Sequence, residues 1–521
     1  MDSQTKTMIP ERTQILVIGG GPGGSYAATC LAREGFEVVL LEAAEFPRYH
    51  VGESMLASLR HFLRFIDLDE EFKDHGFTQK AYTDFISRDK ENYSWNVIRS
   101  QADQLLFQHA GKCGARVFDG TKVLELGFLT SGDAVRPVSA KWENSKKLEK
   151  GEIHFEWLVD ASGRQGVMST KYLRNRKFNQ SLKNIACWGY WSGTNVYSPE
   201  TSRRGSPYFE ALSDESGWAW FIPLHDGTTS VGIVMDQKIS IAKKSQLPTG
   251  QNGLADHYRK ELDQAPNVRK LVGEGVLQSG SAGSIMSASD YSYSATSYAG
   301  PNYRIIGDAA AFIDPYFSSG VHLALSSALS AAATICASIR GHCHESEASQ
   351  WHTIRVGTSY TRFLFVVFSA YRQIRAQEKP VLTDIDEDNF DRAFNHFRPV
   401  IQGSADVNSG RIQGELKATL DFCSQAYSEP TSPEEREAVL SRVGDISTND
   451  AAKFLSDKSP AAGPELDDKA KRVLGSILAR KVMRTEDVEH LGHWVSDELL
   501  GYRLKLERNT LGLEKVEGSI A

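Results

Sequence analysis

The chain runs to 521 residues, 40% of them hydrophobic and 24% charged, with a formal net charge of -7. That length supports two or three domains, and the composition is that of a soluble globular protein. No basic excess is present to attract nucleic acid or an anionic membrane, so neither is expected as a partner.

The N-terminal stretch Met1–Thr13 is polar and lacks the apolar core of a secretory signal. The apolar run Ile15–Ile18 reads as a buried strand. A glycine loop follows, Gly19-Gly20-Gly21-Pro22-Gly23-Gly24, and Ser25–Glu34 reads as an amphipathic helix stopped by Gly35. Glu37–Glu42 is a second strand, which completes a βαβ unit. The pattern Gly19-x-Gly21-x-x-Gly24 therefore sits between a strand and a helix, where its N–H groups can approach a pyrophosphate. Glu42 stands where a carboxylate accepts hydrogen bonds from ribose hydroxyls. A purely structural glycine turn is the bland alternative, but strand, loop, helix, strand and acid all agree. At this point both NAD and FAD remain open.

Farther on, Leu158–Gly163 ends another strand. Between 187 and 235 come short aromatic runs broken by Gly and Pro, which read as antiparallel strands of a separate sheet. Tyr303–Gly307 is again a strand, and an Ala- and Ser-rich helix covers Val321–Ile339. The tail reads as mostly helical, with a start at Ser432-Pro433-Glu434-Glu435 and an amphipathic run over Pro464–Met483. Pro430, Pro433, Pro460 and Pro464 mark loops between those helices. The longest apolar run, Phe363–Phe368, is far too short to span a bilayer. The expected fold class is α/β. A doubly wound dinucleotide-binding core covers residues 12–345, with an antiparallel substrate sheet inserted at about 176–295 and a helical region over 346–521. Six cysteines without a CxxC pair read as reduced thiols, which fits a cytoplasmic protein. His342, Cys343 and His344 cluster in a polar stretch without further ligands at suitable spacing, so no metal site is expected.

Several segments resemble flavoproteins of the glutathione-reductase and aromatic-hydroxylase type. Gly307-Asp308, after a strand and before a helix, resembles the pair that places an Asp on the ribityl chain of FAD. Asp160 with Gly163 resembles the Asp-Gly motif of the hydroxylases. Arg99 and Asp103 resemble the arginine segment that precedes a helix there, although a surface charge is the plain alternative for Arg99. Pro47–Ser54 resembles the loop beside the flavin ring. The resemblance implies FAD, contacted by Gly19, Gly20, Gly21, Gly23, Gly24, Glu42, Arg48, Glu53, Ser54, Arg99, Asp160, Asp308 and Val321.

Three further segments resemble the flavin-dependent halogenases, above all the fungal enzymes that act on polyketide phenols. Gly217–Pro223 carries the pattern WxWxIP. Its Trp218, Trp220, Ile222 and Pro223 would separate flavin from substrate and so disfavour direct hydroxylation, where an ordinary aromatic core strand is the alternative. Gly76–Phe85 follows GFxxKxGxxF at Gly76, Phe77, Lys80 and Phe85, with Tyr82 in place of the second Gly. That departure alters what the loop backbone tolerates. Lys80 would be the catalytic lysine, lowered in pKa by burial, where a solvated surface lysine is the usual reading. Phe312–His322 resembles the region FxPxSxG, and halide would rest on the N–H groups of Ser319 and Gly320 at a helix start. A simple helix cap by Ser318 or Ser319 is compatible with that role. Tryptophan-directed halogenases carry Glu where Phe317 stands, which implies the phenol- or pyrrole-directed branch.

The resemblance covers about residues 12–345. It implies that a separate flavin reductase supplies reduced FAD, which reacts with O2 to a flavin hydroperoxide. Chloride or bromide then yields hypohalous acid, which passes to Lys80 and halogenates an electron-rich phenol. By residue type, His50, His322, Tyr82 and Asp314 are all open as the group that deprotonates the phenol. A single-component FAD/NADPH aromatic hydroxylase is the competing enzyme. A prenyl-chain reductase or an FAD-holding scaffold is a remoter reading.

Overall fold

Ile15, Leu16, Val17 and Ile18 are all buried, as a strand covered on both faces requires. In a computed structural model they belong to the strand Arg12–Ile18, which lies parallel to Val38–Leu41 on one side and Glu149–Asp160 on the other. Arg116–Phe118 extends the sheet beyond Val38–Leu41, and Tyr303–Ile305 pairs parallel with Glu149–Asp160. The structure describes residues 8–374 apart from 82–92, 132–133, 145, 201–203, 249–252 and 280–284. It also describes 498–516 and the isolated positions 438, 439, 441, 442, 467, 470, 473 and 474.

The helix Pro22–Arg33 connects the first two strands and packs beside Gly320–Arg340. The strand order brings the carboxyl ends of Arg12–Ile18, Val38–Leu41, Glu149–Asp160 and Tyr303–Ile305 to one edge. In doubly wound sheets, ligands bind at that edge. Gly320–Arg340 is long and apolar enough to cross a membrane by composition, yet 78% of that apolar stretch is buried inside the fold. Its apolar surface is used by the core.

The second sheet is antiparallel throughout. Tyr208–Ala211, Gly217–Pro223 and Thr228–Asp236 lie in order beside Arg176–Ser192, which also pairs with Val276–Leu277 and Met286–Ala295. Trp220 lies opposite Gly232, where a Cβ would fall 2.2 Å from the indole ring. Glycine there lets the large ring lie flat against the neighbouring strand.

Helix Glu345–Ile374 begins the tail. The described end of the chain departs from the helical expectation. Glu498–Leu499, Tyr502–Lys505 and Gly512–Lys515 form a three-stranded antiparallel sheet. These strands span two to four residues each, too few for an alternating pattern to show in sequence. Ser432–Glu435, Pro430, Pro433, Pro460 and Pro464 lie outside the described residues, as does Pro464–Met483 except Asp467, Ala470, Val473 and Leu474.

Arg304 is fully buried and joins the core strand to the tail helix. Its guanidinium donates to both carboxylate oxygens of Glu345, at 2.8 and 2.9 Å, and to Thr334 Oγ1 at 3.0 Å. Removing one partner of such a pair strands the other charge. Glu345→Ala is expected to cost about 3 kcal/mol. A urea titration would show a lower midpoint at unchanged slope.

Candidate active site

A cavity of about 390 Å³ opens at the carboxyl edge of the parallel sheet and reaches the second sheet. Gly19, Gly21, Gly23 and Gly24 form one wall. Gly19 has φ of +100°, and a Cβ on Gly24 would fall 1.8 Å from Gly19 O. Only glycine lets the loop fold back on itself this tightly before the helix at Pro22. Gly20 does not line the cavity. Its N–H donates to Glu42 Oε2 at 2.5 Å, while Ala44 N–H donates to Glu42 Oε1 at 2.9 Å. Glu42 thus fixes the two strand ends and still faces the cavity.

A charge cluster forms the next wall. Asp103 is buried on the helix Arg99–Lys112 and receives Arg99 Nε at 2.9 Å and Arg99 Nη2 at 3.1 Å. Arg48 Nη1 donates to the same carboxylate at 2.9 Å. Burial alone would raise the Asp103 carboxyl, but the charges and hydrogen bonds of Arg99, with Arg48 beside it, hold it below the usual range. Arg99 also donates to Val51 O at 2.9 Å, which ties down the loop 47–54. Arg99, its side chain 10% exposed, is therefore an ion-pair partner of Asp103 and not a solvated surface charge. His50 accepts from Arg48 Nη1 across 2.7 Å. Burial, then Arg48 and Arg99, push its pKa down to about 4, so the ring is neutral at pH 7.

The structure places the remaining anticipated residues as follows. Arg48, Glu53, Ser54, Arg99, Asp308 and Val321 line the cavity. Burial raises the Asp308 carboxyl against the opposing charges of Arg164, Arg99 and Arg176. Asp160, expected to touch cofactor, lies fully buried beneath the wall. It accepts from Ser162 N at 3.0 Å, Ser162 Oγ at 2.5 Å and Met168 N at 2.6 Å, and so shapes the loop that does line the cavity.

Lys80 lies on strand Thr78–Ala81, paired with Tyr93–Asn96. It is 3% exposed, and its Nζ donates to Ser54 Oγ at 2.7 Å. The ammonium thus sits one hydrogen bond behind the cavity wall, which removes the surface-lysine reading. Tyr82 and Phe85 lie outside the described residues.

Trp218, Trp220 and Ile222 face the cavity, with the two indole centroids 5.7 Å apart. Pro223 does not line it. Its carbonyl accepts from Asn96 Nδ2 at 3.1 Å, which joins the tryptophan strand to the Lys80 sheet. Trp218 Nε1 donates to Tyr371 OH at 2.9 Å, and Tyr371 OH donates to Asp314 at 2.6 Å. Gly320 and the left-handed Ser318 line the opposite side. Ser319 is fully buried at the start of Gly320–Arg340, makes no side-chain cap, and its hydroxyl has no hydrogen-bond partner among the described residues. A buried free hydroxyl beside first-turn N–H groups is suited to an anion.

Of the four groups considered for phenol deprotonation, His50 lines the cavity. His322 bonds Ser58 Oγ at 2.8 Å in an aromatic setting, and Asp314 is held by Tyr371 and Asn184. Tyr82 lies outside the described residues. Trp188 and Arg164 line the cavity without having been singled out in sequence. Trp188 and Tyr190 alternate along one strand, a period-two signal that could have marked both.

The residues present fit a flavin dinucleotide. The glycine wall admits a pyrophosphate, Glu42 stands at the second strand end, and Arg48, Arg99 and Asp308 line the remainder. The family model for an FAD binding domain matches residues 12–359. The flavin-dependent halogenase ascD of Acremonium egyptiacum is 49% identical over 98% of this chain and 94% of its own length. Flavin-dependent halogenase armH1 of Armillaria mellea is 50% identical over 97% and 99%. Sulochrin halogenase gedL of Aspergillus terreus is 44% identical over 98% and 95%. Among solved structures, the myxobacterial chondrochloren halogenase CndH aligns with a TM-score of 0.64 at 27% identity, over 80% of this chain and 97% of that one.

Two variants test the site. Gly24→Ala is expected to weaken FAD binding at least about tenfold, read by quenching of flavin fluorescence. Asp103 titrates lower in the native state than in the unfolded one. Its stabilisation is therefore complete above about pH 4 and is lost as pH falls through the native value. Asp103→Asn should cost about 3 kcal/mol at neutral pH and flatten the acid limb of a stability-against-pH curve.

Proposed function

The chain belongs to the flavin-dependent halogenases, and on that footing we propose that it attaches chlorine or bromine to an electron-rich phenolic precursor of a natural product. The observation that carries this reading is the buried Lys80, one hydrogen bond behind a cavity wall that also bears Trp218 and Trp220. Bound FAD, reduced by a separate flavin reductase in the cytoplasm, supplies the activation of O2.

The chain's own residues then have distinct tasks. Gly19, Gly21 and Gly24 admit the pyrophosphate, and Glu42 takes the ribose hydroxyls. The N–H groups of Ser319 and Gly320 hold the halide at the helix start. Trp218, Trp220 and Ile222 keep an aromatic substrate from direct contact with the flavin, so oxygen is not transferred to it. Lys80 hydrogen-bonds the hypohalous acid and presents halogen to the ring, with Ser54 Oγ fixing the direction of its ammonium. The tight burial around Lys80 excludes the water that would otherwise scatter this oxidant. Phe317, where tryptophan-directed enzymes carry Glu, supports a phenol or pyrrole over tryptophan as the substrate.

The test incubates purified protein with FAD, NADH, a generic flavin reductase, chloride or bromide, and resorcinol-like phenols, with halogen isotope patterns read by mass spectrometry. A halogenated product is expected from wild type. Lys80→Ala should lose at least about a hundredfold in product while retaining FAD, since a positioned proton- or halogen-transfer group contributes on that scale. A product that gains oxygen, with NADPH consumed in the absence of reductase, would replace this reading by an aromatic hydroxylase.

A further inference from the structure

Three polar groups, Glu53, Tyr190 and Tyr49, stand in series from the cavity wall to an exposed side chain, and Trp188 donates to the outermost of them. Trp188 Nε1 donates to Tyr49 OH at 2.7 Å. Tyr49 OH meets Tyr190 OH at 3.0 Å, and Tyr190 OH donates to Glu53 Oε1 at 2.6 Å. The indole N–H can only donate, so the Tyr49 oxygen accepts there and its own proton is free to point at Tyr190. Every proton in the series then points toward Glu53. Glu53 is 2% exposed and lines the cavity. Tyr49 is 52% exposed and is absent from the cavity wall, so its open surface faces outside the cavity.

Tyr190 OH and Gly52 N–H together give each Glu53 oxygen a donor. Beyond Tyr190 a second hydroxyl follows, and the series ends at an exposed side chain. The chemistry of the cavity supplies a reason. Reduced flavin as its monoanion, O2, halide and an aromatic C–H become oxidised flavin, haloarene and two waters. The O–O and C–H bonds break, the carbon–halogen bond forms, flavin is oxidised and dioxygen reduced. Charge and hydrogen balance only if two protons are taken up. Glu53, 2% exposed on the cavity wall, is a group through which they can enter.

We propose that Tyr49, Tyr190 and Glu53 form a proton wire that carries protons from bulk water into the flavin cavity during halogenation. Glu53 releases a proton to the cavity. Tyr190 replaces it at Oε1, Tyr49 replaces that of Tyr190, and water replaces that of Tyr49. Trp188 fixes the direction. The charged group that faces Glu53 is Arg99, which also donates to Val51 O and Gly52 O, while Lys80 bonds the neighbouring Ser54. Gly52 N–H donates to Glu53 Oε2 at 3.2 Å. Burial raises the Glu53 carboxyl, with the Tyr190 bond and the Arg99 charge pulling against it. A raised carboxyl is better able to hold and release a proton near neutral pH.

The inference rests on the halogenation reading above, and the experiment separates the two. The full-length protein and the variants Glu53→Gln, Tyr190→Phe and Tyr49→Phe are compared. In the protein without FAD, an infrared pH titration should show a protonated-carboxyl stretch that vanishes in Glu53→Gln and moves in Tyr190→Phe. With saturating FAD reduced beforehand under anaerobic conditions, bromide and resorcinol, a pH-indicator dye follows proton uptake as oxygen is mixed in. Tyr190→Phe should slow uptake at least about tenfold with FAD affinity unchanged within about twofold, and added formate should restore it. Uptake that is unchanged in both Glu53→Gln and Tyr190→Phe overturns the wire. So does a loss that follows FAD affinity and resists formate, because that is the mark of a structural role. Wild-type protein that brominates none of the resorcinol-like phenols overturns the halogenation reading, while the infrared titration still tests the Glu53–Tyr190 link by itself. Brominated product with unaltered variants overturns the wire alone.

Discussion

One buried carboxylate governs the geometry of the site. Asp103 clasps Arg48 from the loop 47–54 and Arg99 from its own helix. The two cations would repel each other without it, which would weaken the hold of Arg48 and Arg99 on the loop. The same loop carries Glu53 and Ser54, and Ser54 takes the hydrogen bond of Lys80. The placement of the ammonium is thus set by an ion pair on another element. This is an electrostatic frame on one side of the cavity, and it works because the two guanidiniums, each about one-tenth exposed, keep little contact with solvent.

The βαβ opening was plain in sequence because each part has a local cause. Buried strand residues are continuous, the loop needs glycines, and the helix has its stop. The tryptophan strand was equally plain, since Trp218, Trp220 and Ile222 alternate onto one face at the spacing of a pleat. Asp160 shows where pattern reading ends. A motif places it beside the cofactor, while its bonds to Ser162 and Met168 turn it beneath the wall. Sequence reports that an acid is required there, but not which way its oxygens face.

Tyr371 and the tail strands were hidden for another reason. Tyr371 reaches Trp218 and Asp314 across a large sequence separation, so no local pattern announces it. The same holds for Arg304, whose partners sit on two different helices. Long-range pairs of this kind are specified by the whole fold, and a single sequence carries no trace of which two residues meet.

The C-terminal strands bear on how the molecule is made. Glu34 ends the first helix, and its carboxylate receives the N–H groups of Asn509 and Leu511 as well as Arg340. Leu504, Leu511 and Leu513 join the same apolar core as Ile15 and Val17. Ile15 and Val17 therefore wait for Leu504, Leu511 and Leu513 before their core is closed. Until those leucines emerge, the nascent nucleotide-binding unit presents an open apolar flank, and the domain is completed only by residues far along the chain.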